Sequence, residues 1–207
     1  MLHLSFAHVV GWLGVALSFL ATWYQFHRVR TVGIDGVSLT TWFQFCLMGG
    51  FWMSYGAAVH DVVIIAGSLF CWPLQAAIVM RLSPLRQLGT LARAVAFIGA
   101  CSLLPTLAFG WTAGVYGTGV AMVANRMPQL TKLVRHKGDM GVSVGSWSIG
   151  AACSAMWIVY YIPTKLWAPL ISTAAAMCGN IAIAVLAAYR HRQALSDDVA
   201  NVVAVAA

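Results

Sequence analysis

The chain has 207 residues, of which 61% are hydrophobic and only 8% charged, with a formal net charge of +7; mean hydropathy is +0.82. A soluble domain keeps about 25% charged residues to cover its surface, so this composition excludes an ordinary water-soluble globule. The basic excess does not point to nucleic acid, because Lys and Arg are dispersed over several turns and form no dense stripe.

In chain order, long apolar runs cover residues 6–26, 38–58, 62–80, 88–109, 112–125, 142–162 and 167–189. Most approach the roughly 20 residues that a helix needs to cross the hydrocarbon core, and they lack the alternation of a barrel strand. Backbone polar groups in lipid must be satisfied internally, so the runs predict an all-α membrane protein with seven transmembrane helices. The first run has no Lys or Arg before it and is long for a signal-peptide core, so it reads as a retained span. The fifth meets Arg126 and is expected to continue through 127–134 with that side chain snorkelling to the interface. Residues 193–207, with Asp197 and Asp198, read as a mobile cytoplasmic tail. The five cysteines all fall inside spans without metal-type spacing and read as reduced; no metal or cofactor is expected.

Basic residues set the orientation. Arg28 and Arg30 follow span 1, and Arg81, Arg86 and Arg93 surround the turn between spans 3 and 4. Arg126, Lys132, Arg135 and Lys137 cluster around the turn between spans 5 and 6, and Arg190 and Arg192 follow span 7. With seven spans these lie on one side and only Lys165 lies opposite. The positive-inside rule then places the amino terminus outside and the carboxyl terminus in the cytoplasm, with the plasma membrane as the expected location.

Sliding the sequence along itself by 105 residues reveals an internal repeat. Gly33-Ile34-Asp35-Gly36-Val37-Ser38 meets Gly138-Asp139-Met140-Gly141-Val142-Ser143, Trp42 meets Trp147, Trp52 meets Trp157, and Tyr55 meets Tyr160. With one residue of slippage, Tyr24-Gln25 meets Pro128-Gln129 and Arg28 meets Lys132. The predicted organisation is a three-helix repeat over 1–82, a linker helix over 83–110, a second, parallel three-helix repeat over 111–192, and the tail. An odd linker helix lets both repeats face the same way, and a parallel repeat places a solute site between the halves near mid-membrane.

Pro128-Gln129-Leu130-Thr131-Lys132 followed by Gly141-Val142-Ser143 resembles a PQ-loop repeat, and Tyr24-Gln25 followed by Gly36-Val37-Ser38 resembles a degenerate copy. The 3+1+3 layout over residues 6–192 is similar to the SWEET (MtN3/saliva) family of sugar facilitators. The motifs indicate the PQ-loop clan well and the substrate poorly, since clan members carry sugars, amino acids or other small solutes.

The resemblance implies that Trp52 and Trp157, on the second helix of each repeat, stack on a sugar ring; the plainer reading is a tryptophan facing lipid or core. The family has an asparagine on each third helix where this chain has Ser68 and Thr173, and a hydroxyl offers fewer hydrogen bonds than an amide. Gln75 and Asn180, seven residues further on, lie roughly on the same helical face; they read as displaced amide ligands or as helix-to-helix bonds. Family logic makes Pro128 a hinge, with Tyr24 at the matching place and Gln25 and Gln129 available to bond across the axis; the alternative is a static kink. Tyr55, Asp61, Tyr160 and Lys165 are expected near the outer mouth, where Asp61 and Lys165 read either as a gate or as solvated loop charges.

There is no Glu, and no Asp falls mid-span. Proton coupling usually needs an intramembrane ionisable group, so passive transport is expected. No Lys stands in span 7 for a retinal Schiff base, and HExxH, GxSxG and Walker A are absent, so no enzyme is expected. The sequence therefore predicts a facilitative carrier of small neutral solutes, sugars foremost, embedded in lipid and working by alternating access. A carrier of amino acids or another solute stays open, as do a homo-oligomer and a non-transporting receptor or assembly subunit; the nearly charge-free central spans argue against a receptor pocket.

Overall fold

The computed structural model describes residues 2–31, 33–34, 37–82, 85, 87–135 and 143–206, excepting the side chains of 2–5, 128, 129, 132 and 194–206. Motif residues Asp35, Gly36 and 138–142, with Arg86 and Lys137, lie outside the described residues. Described residues are helical apart from short turns and contain no strand. The order is α1 Leu2–Thr31, α2 Leu39–Ala58, α3 Val62–Leu69, α4 Trp72–Arg81, α5 Leu88–Ile98, a π-helical turn Gly99–Leu103, α6 Leu104–Phe109, α7 Trp111–Ala124, α8 Met127–Arg135, α9 Val144–Thr164 and α10 Trp167–Ala206. The stretch 193–207, expected as a tail, continues α10 as helix through Ala206.

Among the described residues, four stretches are long and apolar enough to cross a membrane: Phe6–Thr31, Val62–Arg81, Leu88–Phe109 and Trp167–Gln193. Prolines stand at three of the breaks. Pro73 and Pro128 each stand second in the helix that resumes, in α4 and α8, where a missing N–H is harmless. Pro105 cannot donate to the Cys101 carbonyl, and the π-helical turn forms just before it. Gly110, at φ 86, then makes the sharp connection into α7.

The serine of each Gly-Val-Ser motif has a direct structural job. Ser38 accepts from the Thr41 N–H at 3.3 Å as N-cap of α2, and Ser143 accepts from the Ser146 N–H at 3.2 Å as N-cap of α9. Each satisfies an orphan donor at a helix start. At the far end of α8, Arg190 of α10 donates to the Leu133 and Val134 carbonyls, both at 3.0 Å, which closes that helix with a cation.

Packing divides the chain into two groups. In the first, α3/α4 lies between α1 and α2; in the second, α10 lies between α7/α8 and α9. The groups meet along α1 and α9, while α5 packs on α2 and the π-helical turn and α6 pack on α7. Span 4 therefore fills the gap between α2 and α7. Close approach there depends on Gly117, where a Cβ would collide with the Cys101 carbonyl oxygen. Thr118 adds a buried hydrogen bond across the same contact, 2.8 Å to the Ser102 hydroxyl.

The buried clusters are unequally shared. One, containing Val15, Tyr55, Ile64, Tyr160 and Tyr161, joins both groups directly, and another, of Met48, Ile98 and Ala121, joins them through span 4. Two others, around Ile78 and Leu39 and around Leu133 and Ile183, each lie within a single group. The groups are thus sealed together at the Tyr55/Tyr160 end, while at the Ser38/Ser143 end the described cores stay separate.

Span 5 differs from the sequence expectation. The chain turns at Asn125 and Arg126 between α7 and α8, and Arg126 is only 6% exposed. It does not snorkel, because its guanidinium finds acceptors inside the protein.

Candidate functional site

Between the two groups lies a cavity of about 410 Å³, a volume suited to a small molecule. It reaches from the helix starts at Ser38 and Ser143 to the aromatic plug at Trp52, Trp157 and Tyr161. All six residues singled out as solute ligands, Trp52, Trp157, Ser68, Thr173, Gln75 and Asn180, line it. The two less apolar long helices, α2 and α9, supply much of the wall, because their hydroxyls, amides and indoles face inward.

The two tryptophans sit in matching surroundings. Trp52 meets Tyr55 edge-on at 5.8 Å and 83°, and Trp157 meets Tyr160 at 5.8 Å and 82°. Trp157 also stacks on Tyr161 at 5.6 Å and 26°. Its indole N–H donates to Ser18 of α1 at 3.2 Å, and Ser18 in turn donates to the Gly14 carbonyl at 2.8 Å. A Cβ on Gly67 would stand 2.7 Å from the Trp157 ring, so the indole is clamped between α1 and α3 with limited rotamer freedom. A preorganised aromatic face loses little entropy when a ligand stacks on it.

Asn180 has a different position from that of a free amide ligand. Its Oδ1 accepts from Arg126 Nε at 2.6 Å, and its Nδ2 donates to Ser154 at 3.3 Å. Arg126 Nη1 also donates to the Met122 carbonyl. In the other group, the Gln75 Oε1 is buried and accepts no hydrogen bond. The sequence reading of charge-free central spans is corrected here: Arg126 lines the cavity, as does Arg28 nearer its mouth. Asp61 is the only acidic residue whose side chain is described, so among the described residues no carboxylate answers Arg126.

At the sealed end, the Asp61 carboxylate does not turn to Lys165. One oxygen caps α3 through the Val63 and Ile64 N–H groups at 3.0 and 3.1 Å, and the other accepts from the Tyr160 hydroxyl at 2.7 Å. Lys165 is exposed at the left-handed end of α9, φ 57, while Tyr55 and Tyr160 are buried in the plug. Tyr160→Phe is expected to destabilise the protein by about 1–2 kcal/mol, since a hydrogen bond to a charged group is lost and Asp61 is partly solvated. Thermal unfolding in detergent measures this, and an unchanged midpoint would show that water replaces the hydroxyl at no cost.

Of the hinge residues, Gln25 lines the cavity, whereas Tyr24 is half exposed and does not. The side chains of Pro128 and Gln129 lie outside the described ones, and so does the bond expected between Gln25 and Gln129. In backbone, the chain breaks just before Pro128 but α1 runs unbroken past Tyr24. Sequence reasoning missed Ser18, Thr22, Cys153, Ser154 and Tyr161, which also line the cavity. A signal was available: Ser18 and Thr22, and Trp157 and Tyr161, are spaced four apart and so share a helix face.

Fold and cavity together define an all-helical protein, with several helices apolar enough for a membrane, arranged around a polar and aromatic chamber sealed at one end. No family model matches the chain, and no curated protein or solved structure matches it significantly.

Proposed function

We propose that this chain is a facilitative membrane carrier of small polar solutes of the sugar-like class, built as a 3+1+3 relative of the SWEET and PQ-loop transporters. The observation that carries the reading is one shared cavity between the two helix groups, lined by both tryptophans and both polar pairs that the 105-residue register matches. The equal Trp–Tyr geometries and the paired serine caps support the two-repeat organisation.

Seven crossings follow when α3/α4, α5/α6 and α7/α8 are each counted as one broken span. The chamber wall combines α2 and α9 with residues of α1, α3/α4 and α10, so the proposed path runs between apolar spans that each turn a few polar groups inward. With the basic turns in the cytoplasm, the sealed end faces outside and the arrangement corresponds to an inward-facing state. Rocking about the α1–α9 contact would part the aromatic plug and bring the inner cores together.

Radiolabel counterflow in liposomes tests this, using sugars, sugar derivatives and amino acids. Saturable exchange of a sugar-class solute is the expected result. Exchange of amino acids alone would move the substrate class, and no exchange by folded protein would sink the carrier reading in favour of a receptor or assembly subunit.

A further inference from the structure

We propose that the chamber binds an anionic solute, a hydroxy-carboxylate of sugar-acid type, whose carboxylate is received by Arg126. This deepens, and rests on, the carrier reading above, and it replaces the neutral solute that the sequence suggested.

Arg126 is buried at the break between α7 and α8 and lines the chamber. A guanidinium carries five N–H donors in a rigid fork. Its bonds to Asn180 and Met122 occupy Nε and Nη1, which leaves the remaining donors for a ligand. A charge inside a membrane protein is costly unless paired, and among the described residues no acid supplies a pair. Asp61 is committed to Tyr160 and to the α3 cap at the sealed end. Arg28 also lines the wall.

Asn180 acts as a positioning residue. Both ends of its amide are used, by Arg126 and by Ser154, so it fixes the fork and does not itself offer a free ligand. Across the chamber Gln75 lines the wall, and its amide is of the type that pairs with a solute hydroxyl. A carboxylate at one end, a hydroxyl at the other and an apolar C–H face against the Trp52 and Trp157 rings describe a sugar acid. A zwitterionic amino acid fits less well, since the described wall holds no carboxylate for its ammonium group.

The test compares three probes of one ring size, glucose, glucuronate and glucose 6-phosphate, by counterflow in liposomes. Glucuronate is expected to exchange at least about tenfold better than glucose, a difference one charge-assisted contact supplies. Arg126→Gln should remove that preference, and Arg126→Lys should restore part of it as a point charge without the fork. Asn180→Asp places a carboxylate against Arg126 and should lower selectivity for glucuronate over glucose, a ratio that a purely structural role would leave alone. It also stands in if Arg126→Gln fails to fold. Equal exchange of glucose and glucuronate, untouched by these substitutions, would make Arg126 a structural clamp and overturn the inference while the carrier reading stands. Exchange of glucose 6-phosphate alone would overturn the carboxylate assignment. No exchange of any probe or other solute by folded protein would overturn the carrier reading and this inference with it.

Discussion

Gly117→Ala is expected to destabilise the protein by about 3 kcal/mol or more, at or beyond the usual upper end for overpacking. The added Cβ meets the Cys101 carbonyl oxygen, which is backbone and cannot swing aside as a side chain would. That carbonyl is the one deprived of its helical partner by Pro105, so its position follows from the same proline. Relief requires α7 to move off span 4, which breaks the buried Thr118–Ser102 bond. Gly50→Ala is the matched control: Gly50 lies inside α2 with nothing near its Cβ position, and alanine there should be neutral or stabilise by roughly 0.5–1 kcal/mol through helix propensity. Thermal unfolding of both variants in one detergent decides the matter. Equal midpoints would show that α7 and span 4 are not packed as closely as described.

Trp157→Ala is expected to reduce solute exchange at least about tenfold, and to background if both faces of the solute are held. The indole forms chamber wall, stacks on Tyr161 and bonds to Ser18, so its loss removes a stacking surface and also unclamps α1 from α9. These two effects are separable. Trp157→Phe keeps an aromatic face and loses the N–H, and it should retain most exchange. Ser18→Ala removes the same hydrogen bond with the indole intact, and should resemble Trp157→Phe. Full exchange by folded Trp157→Ala would place the solute elsewhere in the chain.

Much of the molecule was legible in residue order. Apolar runs marked the helical stretches because lipid admits few alternatives to a helix. The 105-residue register brought Trp52 and Trp157, Ser68 and Thr173, and Gln75 and Asn180 into correspondence before any coordinates. All six then line one chamber. The Gly-Val-Ser motif was visible as a repeat marker, but its purpose as a pair of N-caps was not.

Other features depended on distances that sequence does not encode. Asp61 and Lys165 looked like partners by sign and turn, yet a tyrosine hydroxyl lay nearer to the carboxylate. Asn180 read either as a displaced amide ligand or as a helix-to-helix bond, and both ends of its amide are taken by residues outside α10. Arg126 looked like a snorkelling residue because it borders an apolar run. Its direction depends on which helix packs beside it, and α10 brings Asn180 there. Sequence alone determined the helical stretches, because apolar length and side-chain type are local properties. Only the tertiary structure decided which polar groups answer one another and which stay open to the chamber, because hydrogen bonding is a matter of a few ångströms between residues distant in the chain.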